Sequence, residues 1–310
     1  MEMLMNIVLL VVGFVLLIKG ADFFVEGASS IATKFHIPQI IIGLTIVAFG
    51  TSLPEAAISI NAAFAGSAGI TVGNVFGSNI LNVLLILGIS SVIAVLEVKK
   101  DTVRIEMPFV IFISAVILCL GIFDGTLGRA DGAILWVLFV VFFVYLIYSA
   151  KKNKTEEEEE KPKALWLSIL FTVGGLAAIV FGSDLTVDSA TVIAKSLGMT
   201  DRLIGLTIVA FGTSLPELIT SATAAVRKKT DIAIGNIVGS NIFNILFVAG
   251  TSALICPVEF KKDFLFDGIM MIVSAILLFL CSFKKQRITR VGGVIMLIVY
   301  AGYFAALLIM

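Results

Sequence analysis

The sequence predicts an all-α integral membrane protein with ten transmembrane helices. Of its 310 residues, 59% are apolar and 14% are charged, whereas ordinary globular domains have roughly 45–50% and about 25%. A water-soluble fold of this length could not bury so much apolar surface, so the chain belongs in a lipid bilayer. A long internal repeat then indicates how the helices are arranged.

Apolar runs of about 20 residues, the length that spans the hydrocarbon core, mark the predicted helices. They cover residues 3–21, 38–65, 69–95, 105–123, 130–149, 164–183, 201–226, 231–256, 263–283 and 290–309. Residues 151–163 interrupt them with lysines and five consecutive glutamates, which predicts a charged linker. The predicted units are therefore 1–150 and 164–310, with helices 1–5 in the first and helices 6–10 in the second.

The two five-helix units are copies of one another. Residues 43–88 and 205–250 align at an offset of 162 without a gap, and 26 of the 46 positions are identical. Because each copy holds an odd number of helices, corresponding helices must cross the membrane in opposite directions. The sequence thus predicts an inverted repeat about an axis in the membrane plane, a common transporter plan.

The distribution of basic residues predicts the orientation. The connections that share a side with the linker carry 16 Lys or Arg residues, and those on the opposite side carry 5. Basic residues accumulate on the cytoplasmic side. We therefore expect a multi-pass protein of the plasma (inner) membrane, with both termini outside and the 151–163 linker cytoplasmic.

Composition also excludes several classes of function. The formal net charge is zero, so no nucleic-acid partner is expected. A single histidine, His36, and three cysteines without a CxxC spacing argue against a histidine relay or a soft-metal site. An intramembrane enzyme using Ser52 or Ser214 as nucleophile is disfavoured, because neither HExxH nor GxSxG occurs. We expect no enzyme activity and no cofactor. The lipid bilayer is the expected surrounding, and no obligate protein partner is evident.

A Gly-Thr-Ser-Leu-Pro-Glu motif lies inside an apolar run of each repeat, at 50–55 and at 212–217. Proline must break or kink the helix there, and the freed carbonyls need partners in hydrocarbon. The motifs end in Glu55 and Glu217, and intramembrane carboxylates usually mark ion or proton paths. Neither motif helix contains a lysine or arginine before its end, so we predict that a bound cation is the counter-charge.

The helix that follows each motif carries polar residues at four-residue spacing, which keeps them near one helix face. Those of the second repeat occupy the same positions as those of the first: Asn74, Ser78 and Asn82, and Asn236, Ser240 and Asn244. We expect Asn74 and Asn236 to hydrogen-bond between helices and the other four to bind cations. The accompanying GxxxG spacings, Gly73 with Gly77 and Gly235 with Gly239, permit close helix approach.

All the candidate ligands are oxygen atoms. Such ligands suit Ca²⁺, which takes about 6–8 of them, and also Na⁺. The absence of Cys and His near the motifs argues against zinc, copper and iron. Two carboxylates balance one Ca²⁺ or a few monovalent ions, so competitive exchange of the two is physically sensible.

The duplicated GTSLPE and GN–GSN–N segments resemble the alpha-repeats of the cation/Ca²⁺ exchanger superfamily, and most resemble prokaryotic sodium/calcium exchangers. The resemblance covers nearly the whole chain. It implies secondary active exchange of Na⁺ for Ca²⁺ by alternating access, with helices 1 and 6 moving against the motif core. It also implies the ion ligands. For Ca²⁺ these are Glu55 and Glu217 with the carbonyls of Thr51 and Thr213. For Na⁺ they are the glutamates with Ala48, Ser52, Ser78, Ala210, Ser214 and Ser240.

Two departures bear on the coupling ion. Asn244 occupies a position where many sodium/calcium exchangers have aspartate, so both central positions, Asn82 and Asn244, are neutral amides. The GNxxE pattern usual in the proton-coupled branch is absent, because Gly77 and Gly239 stand where that glutamate would be. Sodium coupling is therefore favoured, and a Ca²⁺/H⁺ antiporter is the alternative. A passive cation channel is a weaker alternative, since a channel needs a path open at both ends.

Overall fold

The computed structural model describes residues 2–66, 69–152, 162–198, 210–260 and 264–309. Its helices in chain order are α1 (Glu2–Lys34), α2 (Gln39–Thr51), α3 (Leu53–Phe64), α4 (Gly69–Ile93), α5 (Thr102–Phe123), α6 (Arg129–Lys152), α7 (Leu165–Ser196), α8 (Leu215–Val226), α9 (Thr230–Ile255), α10 (Phe264–Phe283) and α11 (Arg290–Ile309). One helical turn, Ala210–Gly212, precedes α8.

The described part of the chain is an all-helical membrane protein. Eight of its helices are long and apolar enough to cross a bilayer, and α2 with α3 counts as a ninth although the pair is bent by 51°. α8 is apolar but too short to span alone. It belongs to the predicted helix 201–226, of which residues 201–209 lie outside the described residues. Residues 153–161 of the predicted linker lie outside them as well.

The helices divide into a central pair and a periphery. In α9, 94% of the apolar stretch is buried, and in α4 the share is 72%, whereas in α1 and α6 it is 17%. The exposed side chains of the peripheral helices are largely Val, Ile, Leu and Phe. Exposed apolar surface of this extent requires lipid rather than water around it.

α1 and α7 are longer than predicted, since the predictions were 3–21 and 164–183. The apolar runs stop before Asp22 and Asp184, but neither residue breaks its helix, so both helices continue. The acidic residues on the extension of α1 find a basic partner. Arg227 Nη2 lies 2.9 Å from Asp22 Oδ1, and Arg227 Nη1 lies 3.4 Å from Glu26 Oε2. Hydropathy therefore locates these two helices but not their ends.

Two short strand pairs, which the hydropathy pattern did not predict, join connections of the first half to connections of the second. β1 (Leu96–Glu97) pairs antiparallel with β4 (Arg287–Ile288), and β2 (Thr126–Leu127) pairs antiparallel with β3 (Val258–Glu259). Two-residue strands lie below the length at which alternation can be recognised. They fix the two halves of the chain against each other at both pairs of connections.

Glycines allow α2 and α9 to cross in close contact. A Cβ atom on Gly235 would lie 2.7 Å from the Ile40 carbonyl oxygen, and one on Gly239 would lie 2.7 Å from the Leu44 carbonyl oxygen. This confirms the predicted close approach for the GxxxG pair of α9. At the other pair the described residues show no such close approach: within 4 Å, a Cβ on Gly73 would meet only Phe264, at 3.7 Å, and one on Gly77 would meet no neighbouring element.

Candidate cation site

The proline of each repeated motif interrupts its helix, as predicted. Ser52 and Ser214 leave helical geometry, with φ −86° and ψ 8° for the first and φ −94° and ψ 6° for the second, and α3 and α8 begin one residue later. Glu55 and Glu217 consequently lie in the first turns of α3 and α8. The partial positive charge of a helix N-terminus favours a carboxylate at that position.

The two motifs form one site, because each carboxylate accepts a hydrogen bond from the other motif. Ser52 Oγ donates to Glu217 Oε1 at 2.8 Å, and Ser214 Oγ donates to Glu55 Oε1 at 3.3 Å. Glu55 is 1% exposed and Glu217 is fully buried. The sequence predicted both carboxylates, but this reciprocal bonding between the halves appears only in the structure.

No basic side chain in the described part of the chain pairs with these carboxylates. Among the ion pairs of the described residues, none involves Glu55 or Glu217. A buried carboxylate without a counter-charge is costly. A cation from outside the protein could supply the missing positive charge.

Four unpaired oxygen atoms are the candidate ligands for such a cation. Glu55 Oε2, Glu217 Oε2, Asn82 Oδ1 and Asn244 Oδ1 are buried and accept no hydrogen bond within the described part of the chain. α3 packs against the segment that contains Asn244, and α8 packs against the segment that contains Asn82. Buried acceptors are rarely left unpaired, so these four duplicated oxygen atoms fit a hard cation.

Carbonyls of α2 next to the helix break lie beside hydroxyls and amides of α9. Thr51 Oγ1 lies 3.0 Å from Asn236 Oδ1, 3.1 Å from the Val47 carbonyl and 3.3 Å from the Ala48 carbonyl. Ser240 Oγ donates to the Ala48 carbonyl at 3.4 Å. The predicted ligands Thr51, Ala48 and Ser240 are therefore close together.

Asn74 and Asn236 connect helices, as predicted. Asn74 Nδ2 donates to the Glu55 carbonyl at 3.1 Å, and Asn236 Nδ2 donates to the Glu217 carbonyl at 3.5 Å. Ser78 Oγ lies 3.5 Å from Asn74 Oδ1. These bonds hold each motif helix against the helix that follows it.

The remaining predicted ligands lie on the turn before α8. Thr213 is half-buried there, and the side chain of Ala210 lies outside the described part. Ser183 of α7 donates to the Gly212 carbonyl at 2.9 Å, so a residue missed in the sequence satisfies one freed carbonyl.

Two further residues missed in the sequence, Asn79 and Asn241, join the centre of α4 to the centre of α9. Asn82 Nδ2 donates to Asn241 Oδ1 at 3.0 Å, and Asn244 Nδ2 donates to Asn79 Oδ1 at 3.3 Å. The signal that could have found them is their own duplication, since both follow the repeated serine in GSN. The four-residue spacing did not identify them, because they are offset by one position from the polar residues at that spacing.

Comparison with known proteins decides the family. The family model described as sodium/calcium exchanger protein matches residues 5–148 and 167–309. The chain belongs to the sodium/calcium exchanger protein family. This family consists of membrane exchangers of Na⁺ and Ca²⁺ rather than catalytic enzymes, so the chain is a multi-pass membrane transport protein.

Individual members of the family match over nearly their whole length. The sodium/calcium exchanger MaX1 of Methanosarcina acetivorans is 35% identical over 97% of this chain and 98% of its own. The inner membrane protein YrbG of Escherichia coli is 39% identical over 95% of this chain and 94% of its own. A solved structure of the sodium–calcium exchanger NCX_Mj superposes with a TM-score of 0.87 at 32% identity. The superposition covers 98% of this chain and 99% of the NCX_Mj chain.

Proposed function

We propose that the protein is a secondary active antiporter that exchanges Na⁺ for Ca²⁺ by alternating access. The observation that carries the proposal is the buried pair of Glu55 and Glu217, each bonded to a serine of the opposite motif and each with one unpaired oxygen. Two carboxylates neutralise one Ca²⁺ or a few Na⁺ ions, so either kind of ion can supply the missing charge. The names of MaX1 and NCX_Mj support the same pair of ions.

Within this proposal the ions share one set of oxygen ligands. Ca²⁺ binds between Glu55 and Glu217, with the carbonyls of Thr51 and Thr213. Na⁺ ions use the same carboxylates with hydroxyl, amide and carbonyl oxygens, which are contributed by Ala48, Ser52, Ser78, Asn82, Ala210, Ser214, Ser240 and Asn244.

The proposed architecture is ten transmembrane helices in two inverted five-helix repeats, 1–150 and 164–310. The bent pair α2–α3 and the short helix α8 with the turn before it would be corresponding broken helices. Both termini lie outside, and the 151–163 linker is cytoplasmic. The name of YrbG supports the inner membrane as the location.

A flux measurement in vesicles tests the proposal. Purified protein is reconstituted with internal Na⁺, diluted into sodium-free medium and supplied with radioactive Ca²⁺. We expect Ca²⁺ to accumulate above equilibrium, and a sodium ionophore should abolish this accumulation. Uptake that only equilibrates and ignores the ionophore would instead indicate a passive channel.

Two serines outside the carboxylate bridge should act mainly on Na⁺. Ser78→Ala and Ser240→Ala are expected to weaken the apparent Na⁺ affinity by about fivefold, because each removes an oxygen ligand worth about 1 kcal/mol. The apparent Ca²⁺ affinity should change less. Ser91→Ala is the matched control, because the one partner of this buried α4 serine among the described residues is the Gly88 carbonyl of its own helix. Equal losses for both ions would contradict the separation of the ligand sets.

The neutral centre predicts the pH response. Asn amides do not titrate near physiological pH, so protons should compete with cations only at the two glutamates of the site. Asn244→Asp adds a third acid, whose protonation removes a negative charge and weakens Ca²⁺ binding. We therefore expect Ca²⁺ flux of this variant to fall more steeply on acidification than flux of the wild type. Superimposable pH profiles would show that residue 244 does not face the ions.

A further inference from the structure

Asn79 and Asn241 form a reciprocal bridge at the centre of the molecule. Asn79 Nδ2 donates to the Asn241 carbonyl at 3.3 Å, and Asn241 Nδ2 donates to the Asn79 carbonyl at 3.3 Å. Asn79 is fully buried and Asn241 is 2% exposed. Neither belongs to the proposed ligand set, so their amides require another explanation.

The backbone carbonyls fix which way these two amides lie. A backbone carbonyl only accepts hydrogen bonds, so each side chain must direct its amino group toward the carbonyl of the other helix. The sulfur of Met271, 3.6 Å from Asn79 Nδ2, is likewise an acceptor. The Oδ1 atoms of Asn79 and Asn241 are consequently held on the opposite side of each amide.

The orientation of these two amides fixes the orientation of the proposed ligands Asn82 and Asn244. Asn241 Oδ1 accepts from Asn82 Nδ2 at 3.0 Å, and Asn79 Oδ1 accepts from Asn244 Nδ2 at 3.3 Å. A flipped amide at residue 82 or 244 would bring two oxygen atoms together and lose the bond. The amino groups are thus occupied, and Asn82 Oδ1 and Asn244 Oδ1 are left without a partner among the described residues.

We infer that Asn79 and Asn241 are positioning residues, which fix the amides of Asn244 and Asn82 so that carbonyl oxygens rather than amino groups meet the cation. The inference rests on the proposed function, because it assumes that a cation binds there. An aspartate would need no such orientation, since both ends of a carboxylate are oxygen. The bridge is therefore the device that makes a neutral amide a dependable cation ligand at these two positions.

The test compares Asn79→Leu in two backgrounds. Leucine keeps the branched shape of asparagine, with methyl groups in place of the amide oxygen and nitrogen, and removes the acceptor for Asn244. In the wild-type background we expect the KM for Ca²⁺ to rise about tenfold, a typical cost for a polar contact beside a charged group, with a smaller change in the maximum rate. In the Asn244→Asp background the same substitution should not raise KM, because a carboxylate has no amide to orient and leucine removes the oxygen of Asn79 that faces residue 244. KM is measured by Ca²⁺ flux in vesicles at alkaline pH and normalised to folded protein.

The mirror-image pair supplies the matched control. Asn241 orients Asn82, so Asn244→Asp should leave the defect of Asn241→Leu in place, whereas Asn82→Asp should relieve it. If Asn244→Asp relieves both leucine variants equally, added charge rather than orientation explains the rescue. If Asn79→Leu raises KM by the same factor in both backgrounds, Asn79 acts through packing alone. Should Asn79→Leu fail to fold, the Asn241→Leu pair decides between the same outcomes.

Failure of the proposed function would look different. Wild-type Ca²⁺ flux that is independent of the Na⁺ gradient would overturn Na⁺ exchange, while the ratios of KM values would still report on orientation. If the wild type exchanges Na⁺ for Ca²⁺ but Asn79→Leu raises KM by the same factor in both backgrounds, only the positioning role is overturned.

Discussion

Glu55→Gln and Glu217→Gln should each abolish Ca²⁺ transport while leaving the protein folded. Glutamine keeps the size of the side chain and removes one negative charge. Breaking a buried charge pair typically costs about 3–5 kcal/mol, which corresponds to an affinity loss of at least roughly a hundredfold. The measurement is sodium-driven uptake of radioactive Ca²⁺ into vesicles, with folding checked by size-exclusion chromatography.

Glu106→Gln is the matched control for these variants. Glu106 is also a buried glutamate of a membrane helix, with one oxygen bonded to Tyr145 at 2.5 Å and the other unpaired among the described residues, but it belongs to α5, outside the motifs. We expect this variant to retain transport. Near-normal Ca²⁺ flux in Glu55→Gln or in Glu217→Gln would disprove the two-carboxylate site, whatever the control shows.

Gly235→Val and Gly239→Val should have the largest effects on assembly. Both side chains would collide with backbone carbonyls of α2, at 2.7 Å from the first atom added. Overpacking costs about 1–3 kcal/mol when side chains can move aside, and a helix backbone cannot. We expect a thermal unfolding midpoint lower by about 5 °C or more and a reduced yield of folded protein in detergent.

Gly302→Val provides the comparison for this prediction. Gly302 lies in α11, and apart from the backbone of its own helix turn no described atom is within 4 Å of an added Cβ. Its unfolding midpoint should remain close to that of the wild type. Wild-type stability of Gly239→Val would mean that α2 and α9 are not in close contact.

Chemistry was easier to predict from the sequence than geometry. The residue types of the site were predictable because intramembrane carboxylates and a helix-breaking proline have few other uses. The bonds from Ser52 to Glu217 and from Ser214 to Glu55 were not predictable, because a repeat shows which residues are equivalent but not which ones touch.

Features that depend on helix ends or on a neighbouring register were missed. The extension of α1 carries charged residues, so hydropathy ended the helix where only the apolar run ended. Asn79 and Asn241 lie next to the predicted stripe in sequence, yet the contacts between α4 and α9 give them their role. The roles of such residues follow from three-dimensional contacts rather than from composition.

The most direct test of sodium–calcium exchange compares the driving ions in one preparation. Vesicles containing the wild type receive an outward Na⁺ gradient or, without sodium, an outward proton gradient, with the membrane potential clamped in both cases. We expect concentrative Ca²⁺ uptake with the Na⁺ gradient, and no more uptake with the proton gradient than Glu55→Gln vesicles show. Robust proton-driven uptake in sodium-free vesicles would contradict it and establish the Ca²⁺/H⁺ alternative.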